Sequence, residues 1–522
     1  MELSPAFAEA PICQRSDTRS PALTTHRLNT HTPYRHNPTA LVWMLKWVPC
    51  DCVDFPPLIR FERSASVPLS RRVLVVGSGG REHALAWKLV RDGADVIVAP
   101  GNAGTAAIAE NAPVDACDIP GLIELARRRQ IDLTVVGPEA PLVAGIVDAF
   151  TAAGLRIFGP TAKAAMLEGS KLFCKQILHR GDVPTAMFQQ FRSVAGAREY
   201  VNAREDMPVV VKADGLAAGK GVFVCQDRES ALAAIDSLGS NPQCATAAKG
   251  ILIEERLDGI EVSVMAITDG RTIVTLPPLQ DHKAAYDGDH GPNTGGMGAY
   301  CPTPFVTPEL LVEIESRILV PTLHAMRRAK VPFHGVLYAG LMLTAQGPKV
   351  LEFNARFGDP ECEALLVRME SSLLELLDAA VDRCLESIEP PTWREGASLT
   401  VVMAAEGYPG PVAKGLPIRG LSAAEAIEAA TVFHSATKFS SDTALPSGTI
   451  VSDGGRTLAV TAVGESLAKA KLQAYSAVRE IRWQGAWCRK DIADKALAFE
   501  RDSAARADEP DAVGSIAKGN ES

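Results

Sequence analysis

The sequence predicts a multidomain chain of α/β and α+β class, and three stretches carry that prediction. The apolar run Arg72 to Val76 enters the glycine turn Gly77-Ser78-Gly79-Gly80 and then the helical stretch Ala84 to Arg91. Strand, glycine turn and helix in that order begin a doubly wound parallel sheet. The second stretch, Ala213 to Gly221 (ADGLAAGKG), lies between two apolar strands. The third, Val350 to Glu363 (VLEFNARFGDPECE), puts Glu352 and Asn354 two residues apart on a strand, so that alternation brings both side chains to one face.

At roughly 150 residues per domain, 522 residues suggest three or four domains, and 47% hydrophobic residues supply several cores. A net charge of −9 without a long basic run argues against nucleic-acid binding. No apolar run approaches the eighteen or so residues of a membrane span. The 11 cysteines form no CxxC pair for zinc or redox work, and a reducing cytoplasm fits them. Residues 1 to about 70 are rich in Ser, Thr, Pro, Arg and His without periodicity, which reads as a disordered, functionally idle extension. Glu2, Glu9 and Asp17 argue against a transit peptide.

From Arg72 onward, strands at Asp95 to Ala99, Leu133 to Val136 and Arg156 to Phe158 continue a parallel sheet to about residue 170. A dinucleotide-binding loop would carry a third glycine where Glu82 stands, and Asp95 to Ala99 ends in Pro100-Gly101-Asn102 instead of a ribose-binding acid, so NAD is disfavoured. Backbone N–H groups at Gly79, Gly80, Arg81 and Glu82, with the turn Pro138-Glu139, suit a sugar phosphate. The alternative is that these glycines only make tight turns.

A helix follows from Lys171 to Arg180, then strands Val209 to Lys212 and Val222 to Val224 around the ADGLAAGKG loop. Spacing excludes a Walker A motif, yet small residues at Gly219 and Gly221 let the backbone close over a triphosphate, with Lys212 and Lys220 as cations. The strand Ile251 to Leu257 offers backbone groups to an adenine edge and Glu261 a carboxylate to a ribose, although an ordinary edge strand reads the same way. Gln280 to Lys283 and Gly291 to Tyr300, with Asn293, Thr294 and Gly295, form a long polar, glycine-rich loop of the kind that carries function or makes a surface excursion.

A helix at Leu310 to Lys330, strands at Gly335 to Leu343 and Lys349 to Phe353, and a helix at Glu363 to Glu386 come next. The remainder is α+β, with strands at Leu399 to Ala404, Thr431 to His434, Thr449 to Val451 and Thr457 to Val463, and helices near Ala423 to Ala429 and Leu467 to Arg479. Gly454-Gly455-Arg456 reads as a hairpin turn, and residues from about 500 as frayed.

Carboxylate and amide oxygens at Glu352 and Asn354 suit a hard cation such as Mg²⁺, which takes few protein ligands. Arg356, Asp359 and Glu361 crowd the same strand end, where α/β folds carry chemistry; a merely polar strand exit is the plain alternative.

GSGGREHALAWKL, APGNAGT, VGPEAPL, EGSK, VVKADGLAAGKGV, QDHK, GPNTGGMGAY and EFNARFGDPE occur in this order between Arg72 and about Ala496. This series resembles the ATP-grasp superfamily and, within it, the glycinamide ribonucleotide synthetases (phosphoribosylamine glycine ligases). The resemblance implies a Rossmann-like domain over 71–170, an ATP-grasp domain over 171–390 with a lid at about 185–257, an α+β domain over 391–496 and a flexible tail over 497–522. It implies ATP, with Lys171, Lys212, Gly219, Lys220 and Gly221 on phosphates, Glu254, Glu255 and Leu257 at the adenine and Glu261 at the ribose. Glu352 and Asn354 would hold Mg²⁺ or Mn²⁺; the strand Tyr338 to Leu343 has no further acid, so the metal leans on phosphates or water. Glycine would be activated as an acyl phosphate and then attacked by the amine of 5-phosphoribosylamine, with Lys212, Arg356, Asp281 and Asp359 as the catalytic set. Asp281, Lys283, Asn293, Thr294, Gly295, Arg356 and Asp359 would hold substrate, together with Gly79 to Glu82 and Pro138-Glu139. A cytoplasmic monomer or weak dimer is expected, without nucleic-acid or membrane partners. Two departures stand out: Ala284 follows the DHK triplet where relatives often carry Arg, and the N-terminal extension is long.

Overall fold

The computed structural model of the chain describes residues 70–215, 221–240 and 250–507. The expected N-terminal extension up to residue 69, Gly219 and Lys220, and the end of the expected tail lie outside them.

The first sheet is fully parallel, in the order Glu110–Asn111, Asp95–Pro100, Arg72–Gly77, Leu133–Val136, Ile157–Phe158. The chain starts at the centre, winds one way and returns to wind the other, which gives the expected doubly wound domain. Val73 to Val76 are fully buried, as a strand covered by helices on both faces requires. The switch of winding direction lies between Arg72–Gly77 and Leu133–Val136, and the crevice at their carboxyl ends is the natural binding position. Its first helix runs Gly80–Arg91, starting earlier than Ala84 because the Glu82 side chain reaches back to accept the Gly79 N–H at 2.5 Å.

A small antiparallel sheet, Phe188–Phe191, Ile251–Glu255, Val209–Ala213 and Val222–Cys225, occupies the interval expected for the lid. Helices Val194–Ala203 and Arg228–Ser240 back it around a core of its own that includes Val211, Ile235 and Ile253. Next to it stands the sheet Ile273–Thr275, Ile260–Thr268, Gly335–Thr344, Gly347–Asn354. Glu352 pairs opposite Gly340, where a bulge interrupts the ladder.

The last large sheet crosses the boundary expected near residue 390. Gln280–Asp281 and Gly298–Cys301 pair in register with Ala397–Ala404, which continues to Arg456–Gly464 and Ala430–His434. Most of the segment read as a long loop is therefore strand, and a second hairpin, Ala284–Tyr286 with His290–Asn293, fills its middle. Glycines and polar residues hid these strands because they are short and partner a distant stretch of chain.

Two further expectations fail. The helix read as Glu363 to Glu386 is broken into Glu361–Leu366, Leu373–Val381 and a 3₁₀ turn at Leu385–Ser387. The second piece restarts because Ser372 Oγ accepts the Glu375 N–H at 3.1 Å and the Asp92 carboxylate accepts the Leu373 N–H at 2.7 Å, both capping its N-terminus. The tail read as flexible from 497 is helical over Asp494–Ala507, with Ala496 fully buried and Phe499 against Phe305 at a 5.0 Å ring separation.

Candidate active site

A cleft of about 490 Å³ opens where the parallel sheet, the small sheet, the central sheet and the C-terminal sheet converge. At one end are lysines. Lys212, on the strand Val209–Ala213, places Nζ 3.0 Å from Glu254 Oε2, and Lys175 Nζ is 3.1 Å from the same oxygen. Glu254 Oε1 has no hydrogen-bond partner although it is buried. Lys171, at the start of its helix, donates to the Gly215 carbonyl at 3.0 Å. Burial lowers the pKa of Lys171 and of Lys175. Burial also works against the charge on Lys212, but Glu254, followed by Glu352, opposes it and the pKa is raised overall. Asp214 accepts from Ser170 Oγ at 2.9 Å and from the Leu172 N–H at 3.2 Å, which ties the start of the glycine loop to the helix carrying Lys171.

Glu352 and Asn354 line the middle of the cleft from one face of their strand. A Cβ at Gly340, across the ladder, would stand 3.3 Å from Glu352 Cγ, so the missing side chain leaves the carboxylate room. Among the described residues no three His, Cys, Asp or Glu side chains gather to hold a metal ion by themselves.

The far end mixes acids and guanidinium groups. Arg356 Nη2 is 2.9 Å from Glu168 and its Nε 3.4 Å from Glu139. Lys283 Nζ is 2.9 Å from Asp281, and Arg456 Nη1 is 3.0 Å from Asp359 Oδ1. Arg456 also donates to the carbonyls of Asp359 (2.8 Å) and Gly295 (2.9 Å), while Tyr408 Oη accepts the Gly295 N–H at 3.3 Å. Glu361 accepts a hydrogen bond from the Tyr338 hydroxyl, which in turn pairs with Ser263 Oγ at 2.8 Å. Burial and the nearby Asp281 push the Glu361 carboxyl up to about 7.

Three domain models of phosphoribosylglycinamide synthetase match the chain in sequence order: the N domain over 71–168, the ATP-grasp (A) domain over 169–362 and the C domain over 398–495. The chain belongs to the phosphoribosylglycinamide synthetase family. The phosphoribosylamine–glycine ligase of Rhodopirellula baltica is 57% identical over 432 residues, which cover 81% of this chain and 98% of that protein. The human trifunctional purine biosynthetic protein adenosine-3 is 45% identical over 83% of this chain, matching 42% of its own length. The crystal structure of phosphoribosylamine–glycine ligase from Thermotoga maritima superposes with a TM-score of 0.69 at 32% identity, covering 81% of this chain and all of that one.

With respect to this synthetase family, the cleft brings together Lys171, Lys212, Gly221, Glu254, Asp281, Lys283, Thr294, Gly295, Glu352, Asn354, Arg356 and Asp359, with Arg81, Pro138 and Glu139 from the first domain. Of the other expected residues, some lie at its edge and some are engaged within the protein. Glu82 is 2% exposed and turned inward, holding the Gly79 N–H and Arg81 Nε (2.6 Å) instead of facing substrate. It needs the two glycines around it: a Cβ at Gly77 would stand 2.5 Å from Glu82 Cγ, and one at Gly137 would also collide with its side chain. Glu255 accepts the Met187 N–H at 3.0 Å, away from the cleft. Leu257 lies beyond the strand end and Asn293 is exposed on its hairpin. Glu261 reaches the cleft's edge through Lys283, 3.5 Å away. Gly79 and Gly80 precede Arg81 at the crevice, where a Cβ at Gly79 would stand 2.9 Å from Glu82 Oε2 and 3.4 Å from Asp359 Oδ2.

Several cleft residues escaped the sequence reading, Tyr338 among them. Lys175 had a signal, since it falls one turn after Lys171 on the same helix face. Arg456, read as part of a hairpin turn, and Tyr408 come from the C-terminal domain, and no local pattern tells that either reaches the cleft. Glu168 opens the EGSK stretch, but its part in the cleft shows only through its pairing with Arg356.

Proposed function

We infer that this chain joins glycine to 5-phosphoribosylamine at the expense of ATP, giving glycinamide ribonucleotide, ADP and phosphate in purine biosynthesis. The observation that best supports this reaction here is the convergence, in one cleft, of buried lysines with the Glu352 and Asn354 pair. Lys212 and Lys171 are read as phosphate contacts, Lys212 leaving its share of Glu254 to meet the triphosphate. The strand Ile251–Glu255 and its exit are read as the adenine edge, with Glu261 toward the ribose. A single carboxylate and an amide oxygen with open space opposite them fit a divalent cation that completes its shell from phosphates and water. Mg²⁺, or Mn²⁺, is the ion assigned to Glu352 and Asn354; when bound it neutralises phosphate charge in the transferred group.

The same reading gives the far end to the other substrates. Asp281 and Asp359, each already beside a cation, and Arg356 are positioned for the glycine zwitterion. Arg81 and the backbone at Gly79 and Gly80, in the crevice of the parallel sheet, suit the ribose phosphate. The γ-phosphate passes to the glycine carboxylate, and the amine then attacks the glycyl phosphate. Catalysis rests on placement and fixed charge. The reading keeps a monomer or weak dimer in a reducing cytoplasm, where the described cysteines, all free thiols, would stay reduced. Among the described residues no helix is long and apolar enough to cross a membrane.

Glycine labelled with ¹⁸O in its carboxylate tests this order of events. One labelled oxygen should reach inorganic phosphate for each amide formed, and ADP release should need both glycine and phosphoribosylamine. Label in AMP, or phosphate left on the protein, would refute the acyl-phosphate route.

A further inference from the structure

Forming the amide leaves the attacking nitrogen with one proton too many, and the cleft has to hold a group that takes it. An ion-paired carboxylate is a poor base, because a neighbouring cation holds it in the charged, proton-free form. Nearly every carboxylate that lines the cleft has a cation beside it; burial raises the pKa of Glu168 even so, but both its oxygens are engaged, one by Arg356 and the other by the Ala355 N–H at 2.8 Å. Glu254 faces Lys212 and Lys175, Asp281 faces Lys283, Asp359 faces Arg456, and Glu139 and Glu168 face Arg356. Among the described residues two remain, Glu352, which carries the cation reading above, and Glu361.

Glu361 is the first residue of the helix Glu361–Leu366 and is 3% exposed. One of its oxygens takes the Tyr338 hydroxyl, and the other lies 2.5 Å from where a Cβ at Gly358 would stand, so the turn before the helix has to be glycine for the carboxyl to fit. Its partner is neutral. Tyr338 is itself braced by Ser263 Oγ at 2.8 Å, and Ser263 Oγ is 3.4 Å from Asp281 Oδ1. A fixed, water-poor carboxylate held by a neutral donor inside the substrate cleft has the environment of a general base.

We propose that Glu361 is the catalytic base of the second half-reaction, taking the proton from the phosphoribosylamine nitrogen as the amide forms. As the nitrogen bonds to the glycyl carbon, the bond from that carbon to the phosphate oxygen breaks and its electron pair leaves on phosphate. The surplus N–H proton passes to Glu361 and goes to water when the products depart. No other reactant is consumed. This role rests on the acyl-phosphate reading above.

The charged groups around Glu361 act in both directions. Burial and Asp281 raise its pKa, while Lys283 and the Tyr338 hydrogen bond lower it. Arg356 and Glu363 also lie within electrostatic reach. With the carboxyl at about 7, the base is available only above that pH, so amide formation in the parent enzyme should climb with pH through neutrality.

The test separates the two half-reactions in the full-length enzyme. In Glu361→Gln, amide formation should fall by about 10²-fold or more. Exchange of ¹⁸O from the β,γ-bridge of ATP into its β-nonbridging position, driven by glycine alone, should persist, and the rise through neutral pH should vanish. Tyr338→Phe is the second arm: losing a hydrogen bond that favours the ionised carboxylate should move the rise to higher pH. A parallel loss of exchange and amide formation in Glu361→Gln would make Glu361 a glycine-binding group and overturn the proposal. So would near-normal amide formation in Glu361→Gln, or an unmoved pH profile in Tyr338→Phe. Absence of exchange in the parent enzyme would instead remove the acyl phosphate itself, and this role with it.

Discussion

Arg456 Nη1 lies 3.0 Å from Asp359 Oδ1 and 2.8 Å from the carbonyl of the same residue, joining the C-terminal sheet to the turn that follows Glu352 and Asn354. A third bond, to the Gly295 carbonyl at 2.9 Å, fixes the glycine turn beside them. All three contacts converge on the one Nη1 group, which the planar guanidinium holds in a fixed direction and carries one atom farther from the backbone than a lysine ammonium reaches.

Arg456→Lys should therefore keep the charge yet lose part of the turnover, mainly through kcat/KM for glycine and phosphoribosylamine, with KM for ATP little changed. Arg456→Ala should in addition destabilise the fold by about 2 kcal/mol, less than a fully buried pair because both partners are partly open to solvent. Steady-state kinetics and urea melts check the two variants; wild-type kinetics in Arg456→Lys would show that the reach and direction of the guanidinium are unimportant.

Glu352→Gln preserves shape and removes one charge from the proposed cation site. Turnover should drop on the order of 10²-fold, as for loss of one preorganised electrostatic contact, while the melting temperature holds. Near-normal rates at ordinary Mg²⁺ concentration would dismiss Glu352 as a ligand.

Glu254→Gln leaves Lys175 and Lys212 facing each other without the carboxylate that both approach within 3.1 Å. With all three side chains almost wholly buried, the cost should be about 3 kcal/mol in urea unfolding at neutral pH. An unchanged midpoint would mean that the lysines shed their charge at no cost.

Glu363 is fully buried, and neither of its carboxylate oxygens has a hydrogen-bond partner. Burial first, and Asp359 second, raise its pKa well above the ordinary 4.5. A carboxyl whose folded pKa is raised gives its full stability below the unfolded value and loses it as pH climbs toward the folded one. Glu363→Gln should match the parent near pH 4.5 and become progressively the more stable of the two as pH rises to 8. Parallel stability curves for the two proteins would show that Glu363 does not titrate on unfolding.

The doubly wound sheet was legible because four of its strands are largely apolar runs that lead into glycine, the polar two-residue edge strand Glu110–Asn111 being the one without that signal, and Glu352 with Asn354 because strand alternation fixes their common face. Glu82 misled for a physical reason. It occupies the position of a loop glycine and looks like a ligand contact, yet its side chain folds back to cap the helix and needs Gly77 and Gly137 to make room. The four short strands between Gln280 and Cys301 were illegible because strands of two to four residues carry no periodicity of their own. Arg456 and Tyr408 could not be placed at the cleft without the topology that brings the C-terminal sheet to its rim.

The pairing of Gly298–Cys301 with Ala397–Ala404 also sets a timetable for biogenesis. About a hundred residues separate the two strands, so on a ribosome adding roughly 5–20 residues per second the earlier one waits several seconds for its neighbour to emerge. Asp281, Lys283, Thr294 and Gly295 sit on or beside strands caught in that wait. The catalytic half of the molecule is thus unfinished until nearly the whole chain has been translated, and a transcript cut short before Ala397 yields a protein with an open sheet edge in place of a working cleft.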